Sequence, residues 1–222
     1  MKMLLAIALA ATLPAAGAQV GEANGISFQL EPRADSQAPA YIVSLDDHGA
    51  GRYIEFAPNA GPAERPGQPI TVDAATLLTL HNARSSVDPA RCQSHRKGIA
   101  SIGRMTLTVY ANGQTAQCVF AYTDDAALTA ALDAFEAIAE TMQTGESLDH
   151  LHRFDRLGLD AAIDSLVSEA REGRAIEIQN IAPVLQSLVD DDRVIERVRR
   201  KAARLLQDAP PAPSSDPASN PL

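Results

Sequence analysis

The chain has no tryptophan, only two cysteines, and an aromatic content of 4%. Its hydrophobic fraction of 45% is therefore mostly alanine and aliphatic residues, a composition suited to closely packed helices. Basic residues are also scarce, with 19 Lys and Arg against 28 Asp and Glu for a net charge of −9. That balance is a poor match to nucleic acid or an anionic membrane surface. Beyond the extreme N-terminus no run approaches the roughly 20 apolar residues of a transmembrane segment. The short catalytic signatures are missing too: no G-x-S-x-G, H-E-x-x-H, Walker loop or G-x-G-x-x-G is present. Their absence lowers the weight of an enzyme but does not exclude a triad assembled in space. No catalytic residue, cofactor or metal site is assigned from motif.

What is present begins with an export signal. Lys2 supplies a positive end, Met3 to Leu13 an apolar stretch, and Ala16-Gly17-Ala18 an A-x-A cleavage site. Residues 1–18 are thus expected to be removed, and Gln19 to begin the mature chain. No cysteine follows the apolar stretch, so a lipid anchor is not expected. The product belongs in the periplasm or outside the cell. In such an oxidising compartment Cys92 and Cys118 most simply form one disulfide, with free or metal-bound thiols as the alternative. C-x-x-C spacing is absent, which suits a structural staple rather than a redox pair.

The most legible stretch is Met105 to Phe120. Asn112-Gly113, flanked by β-rich runs, is the dipeptide best suited to a two-residue type I′ turn. That turn fixes the register: Val109 faces Ala116, Leu107 faces Cys118, and Met105 faces Phe120. One face is then apolar, while Thr106, Thr108, Tyr110, Thr115 and Gln117 make the other mostly polar. Cys118 points inward.

Around this hairpin the chain reads as an α+β domain over residues 25–145, with antiparallel hairpins packed against helices and stapled by Cys92 and Cys118. Ile26–Leu30 alternates as a strand, and Tyr41–Leu45 with Arg52–Phe56 forms a second hairpin. Residues 57–69 are a proline- and glycine-rich surface loop, and Ile70–Val72 is a short strand. Asp73 caps a helix with Ala74, Leu77, Leu78 and His81 on one face. Thr123-Asp124-Asp125 opens a stronger helix whose stripe is Leu128, Leu132, Phe135, Ile138 and Met142, with Gly145 as its stop. Residues 147–207 read as a helical extension. Ser147 caps a short helix through Leu148, Leu151 and Phe154, and Asp160 opens one that ends at Gly173. Asn180 caps a third with Pro183 in its first turn, and a last helix follows Asp190-Asp191-Asp192. Residues 208–222 are a tail of disordered composition.

Candidate sites compete with plainer explanations. His150 and His152 form an H-x-H, but on a helix positions i and i+2 diverge by about 200°, so surface or capping roles fit better than a metal. His81 is expected to be buried and hydrogen-bonded. His95, Arg96 and Lys97, with Arg91, form a basic rim in the cysteine loop that could hold a carboxylate or phosphate. His48 with Asp46 and Asp47 reads as a turn, having too few oxygens for calcium. On the last helix Arg193, Arg197, Arg200 and Arg204 fall within about 60° of one another, opposite Val194, Val198, Ala202 and Leu205. This ridge suits an acidic partner, although bases toward a helix C-terminus are also what its dipole favours.

Two resemblances complete the reading. Leu185-x-x-Leu188-x-Asp190, with Val198-Arg199 and Ala202-Ala203-x-Leu205, resembles one HEAT-type unit; with no second copy it is read as two packed helices. The runs Cys92–Ala100, Asp133–Thr141 and Ile181–Leu188 resemble those of a family of uncharacterised exported bacterial proteins. That resemblance implies no activity or ligand, only that the cysteine pair belongs to the fold. The function expected is a non-catalytic binding or interaction protein of the cell envelope with a protein partner. Its candidate contacts are Arg193, Arg197, Arg200, Arg204, His95, Arg96 and Lys97. The rivals are a secreted hydrolase using His81, His95 or His150 as base, and an inhibitor of such a hydrolase.

Overall fold

The structure is a computed structural model that describes residues 24–33, 35, 36, 38–57, 67–89, 92 and 103–209. The expected export signal lies outside these residues. So do residues 210–222 of the expected tail, most of the proline-rich loop, and the rim of Arg91, His95, Arg96 and Lys97.

Among the described residues six strands form one antiparallel sheet: β1 (Gly25–Pro32), β2 (Ala40–Asp46), β3 (Ala50–Phe56), β4 (Gln68–Thr71), β5 (Gly103–Ala111) and β6 (Gln114–Phe120). Their order is β4-β3-β2-β1-β5-β6. The β5–β6 hairpin has the expected register, with Met105 opposite Phe120, Leu107 opposite Cys118 and Val109 opposite Ala116. Asn112 and Gly113 take φ of 51° and 73°, the two positive values a type I′ turn requires. The pairing places Tyr53, Val43, Phe28, Leu107 and Cys118 in one row across five strands, and all five are buried. β4 begins two residues earlier than the sequence suggests and carries Pro69. A proline is tolerated there because β4 is an edge strand.

Helix α1 (Ala74–Arg84) starts at the expected cap, where Asp73 Oδ1 accepts from the Thr76 amide at 2.7 Å. Its buried face differs from the expected one. Leu80 and Ala83 point inward, whereas Leu78 is 61% exposed. The short helix packs on α2 (Ala126–Phe154), which also meets the sheet and later helices. Its Asp125 cap accepts from the Ala127 and Leu128 amides, both at 2.9 Å. All five residues of the expected stripe are buried, and Phe135 stacks on Phe28 of the sheet with ring centroids 5.2 Å apart.

Gly145 does not end this helix. α2 runs straight through it for 29 residues, about 44 Å, so Leu148, Leu151 and Phe154 belong to the same helix. The glycine is there for proximity: a Cβ on it would sit 2.4 Å from Ile181 Cγ2. After α2 come α3 (Leu159–Arg171), a 3₁₀ turn (Ile178–Ile181), α4 (Ala182–Asp190) and α5 (Glu196–Asp208). They continue the same buried core through Leu159, Ile163, Leu166, Leu185, Leu188, Val198 and Ala202.

Asn180 does not cap α4, which carries Pro183 in its first turn as expected. Its amide instead bonds the backbone of β4, with Oδ1 accepting from Thr71 N at 2.8 Å and Nδ2 donating to Thr71 O at 3.0 Å. This side chain occupies the sheet edge as another strand would. Beside it the buried Glu177 carboxylate accepts from the Asp73 amide through both oxygens at 3.1 Å. Cys92 and Cys118 are joined as a disulfide, with Cα atoms 5.2 Å apart and a sequence separation of 26. Among the described residues no helix is long and apolar enough to cross a membrane.

Candidate binding groove

Among the described residues the histidines do not converge. His48 lies in the β2–β3 turn, where Asp46 Oδ1 accepts from the amides of His48 at 2.8 Å and Ala50 at 3.0 Å. That carboxylate is satisfied locally, as a turn requires. His81 is not buried as expected; its side chain is about a third exposed, with Nε2 3.9 Å from Asp47, which Arg84 also pairs. His150 and His152 diverge on α2. His150 lies against the Phe154 ring at 4.9 Å, while His152 Nε2 meets Asp191 Oδ2 at 2.9 Å. Among the described residues no three His, Cys, Asp or Glu side chains gather at metal-binding separations.

His152 has a second neighbour that the sequence did not reveal. Ser187 Oγ lies 3.4 Å from its Nδ1, so serine, histidine and aspartate stand in line. The chemistry of a nucleophile is nonetheless poorly served. Ser187 is interior to α4, its Oγ donates to Val184 O at 2.7 Å, and its amide is committed to the helix rather than to an oxyanion. Asp191 is shared between the histidine and Arg193, which bonds it through the backbone amide at 3.0 Å and the guanidinium at 2.9 and 3.0 Å. These bonds, with the one from His152, hold its carboxyl well below the usual range. The arrangement clasps α2 to α4 and to the turn before α5.

The arginine ridge is partly redrawn. α5 begins at Glu196, so Arg193 precedes the helix and is spent on Asp191. The other three arginines lie along a groove between α3 and α5 with a volume of about 600 Å³, within the ordinary range for ligand sites. Val167, Ala170, Ala175, Ile178, Leu205 and Ala209 supply an aliphatic floor, and Arg171, Arg197, Arg200, Lys201 and Arg204 outnumber the lining carboxylates Asp164, Glu177 and Asp208, of which Asp164 is paired with Lys201 and Glu177 accepts from the Asp73 amide.

These cations are not equivalent. Arg197 and Lys201 clamp α5 to α3: Arg197 Nε donates to Asp160 Oδ1 at 2.7 Å, and Lys201 pairs with Asp164 at 2.6 Å and Asp160 at 3.3 Å. Against the burial that would raise it, Lys201 and Arg197 hold the Asp160 carboxyl below its ordinary value. Among the described residues Arg200 has only an exposed contact to Glu196 at 3.7 Å. Arg171 and Arg204 have no carboxylate partner among the described residues. Three guanidinium groups are therefore available on both walls of an apolar trough, and each can take a carboxylate or phosphate through paired N–H donors.

Arg171 was missed in the sequence because nothing in its own neighbourhood marks it; it joins the site only through the packing of α3 on α5. No protein-family model matches the chain, and no curated protein is similar to it in sequence.

Proposed function

We propose that this chain is an exported, non-catalytic binding protein of the cell envelope, with the α3–α5 groove as its contact surface. The observation that carries the reading is the coincidence of uncommitted arginines with an aliphatic floor on a chain of net charge −9. A ligand with anionic and apolar parts matches both. Export is supported by the signal-like N-terminus and fits the disulfide.

The test is affinity capture from envelope extract, comparing the mature protein with an R200E/R204E variant of unchanged thermal stability. A partner retained by the first and lost by the second establishes the groove as the contact. Equal capture by both excludes it.

The line of Ser187, His152 and Asp191 gives hydrolysis as a second reading, against which stands the serine's place inside α4. A fluorophosphonate probe decides between them. Labelling of the wild type that disappears in Ser187→Ala establishes an activated serine; the binding reading expects no labelling of either protein.

A further inference from the structure

Floor and walls of the groove set different requirements for an occupant. Resting on the binding reading above, we propose that the occupant is an acidic amphipathic helix of a partner protein, with aliphatic side chains on the floor and carboxylates on the arginines. The small residues Ala170, Ala175 and Ala209, set among Val167, Ile178 and Leu205, leave space for several aliphatic side chains. A backbone would lie above them, between the walls. This is the helix-in-groove mode, in which alternate turns of a helix anchor in an apolar trough.

The wall on α5 adds a spacing. The two arginines of this wall that are free of a strong ion pair, Arg200 and Arg204, stand at i and i+4, about 6 Å apart along the axis. Glutamates on successive turns of a helix lying alongside repeat at the same interval. Arg171 approaches from the α3 wall. Because Arg171 and Arg204 have no described partner and Arg200 only a long exposed one, an acidic helix meets these three without breaking a strong ion pair. A small amphiphile with one carboxylate would occupy one guanidinium and leave the others unanswered.

The experiment uses fluorescently labelled 15-residue synthetic helices, titrated by anisotropy with the mature protein at low salt. One carries Leu on one face and Glu on the other; its twin carries Lys in place of Glu. The Glu peptide is expected to bind and the Lys peptide not to bind. R200E/R204E should weaken binding at least tenfold, and Ala170→Phe, which fills the floor without changing charge, should weaken it similarly. Both variants are checked for unchanged melting.

Equal binding of the two peptides, or undiminished binding by both variants, overturns the proposal. So does binding of dodecanoate with no binding of the Glu peptide, or a dimer of the protein that R200E/R204E dissolves. If the Glu peptide fails while arginine-dependent capture from envelope extract persists, only the occupant is wrong. If capture also ignores the arginines, the groove reading falls with it.

Discussion

At the scale of single residues, Gly145 and Asp191 of the helical half each carry a contact that can be tested alone. Alanine normally favours a helix interior over glycine by about 1 kcal/mol, so Gly145→Ala looks stabilising by propensity. The space decides otherwise, because the added Cβ would stand 2.4 Å from Ile181 Cγ2 and 3.1 Å from its Cβ. Overpacking of this kind costs about 1–3 kcal/mol, and the branched Ile181 side chain cannot swing its Cβ away. Gly145→Ala should therefore lower the urea midpoint, and Ile181→Ala in the same chain should recover part of the loss relative to Ile181→Ala alone. A midpoint raised by Gly145→Ala would mean that α2 and the 3₁₀ turn are not in this contact. Asp191, with a side chain only 10% exposed, carries a pH signature. Its folded-state carboxyl is depressed by Arg193 and His152, so its contribution is present above the unfolded carboxylate value of about 3.9. That contribution is lost as the pH falls further toward the folded value. Asp191→Asn should melt clearly below wild type at pH 7, with the gap narrowing at pH 3. A gap independent of pH would remove the charge from the account.

At the scale of elements, the β5–β6 hairpin and α2 were open to reading for opposite reasons. The hairpin is local: Asn112-Gly113 chooses the turn, the turn chooses the register, and the register sends Cys118 inward. The first half of α2 is legible because its cap and its five-residue stripe agree. Its length was not, since a glycine that ends a helix and one that admits Ile181 look alike without the neighbour. Asn180 shows the same limit. A cap and an edge-binding amide have the same residue type, and only the proximity of Thr71 distinguishes them. The groove was half legible, with Arg197, Arg200 and Arg204 on one face of α5, whereas Arg171 and the aliphatic floor required knowing that α3 packs there. The disulfide is the element-scale feature with the plainest test. It ties Cys92 to the fully buried Cys118 on β6, and closing a loop of that length is worth about 3–4 kcal/mol in the chain-entropy model. Cys92→Ser should lose about that much in urea denaturation of oxidised protein and little when both proteins are reduced. Coincident curves without reductant would show that the bond does not form.

At the scale of the whole molecule, the question is whether the sheet and the C-terminal helices are one cooperative unit. α2 joins them: Phe135 stacks on Phe28 of the sheet, while Leu148 lies in the core shared with the later helices and Gly145 lies against Ile181. The return connection is polar. Asn180 and Glu177 hold the backbone at Thr71 and Asp73, joining the 3₁₀ turn to the edge of the sheet and the start of α1. Separating the two parts would expose the apolar flank of α2 and strand a buried carboxylate and an amide without their partners, each a cost of about 1–3 kcal/mol or more. Neither part has an independent core to fall back on, because the buried cluster is continuous from Ile26 to Leu205. Calorimetry of the mature protein should accordingly give one transition, with calorimetric and van't Hoff enthalpies in agreement. Two transitions, or a calorimetric enthalpy well above the van't Hoff value, would mean that the helices unfold on their own. The α3–α5 groove could then open and close without the sheet.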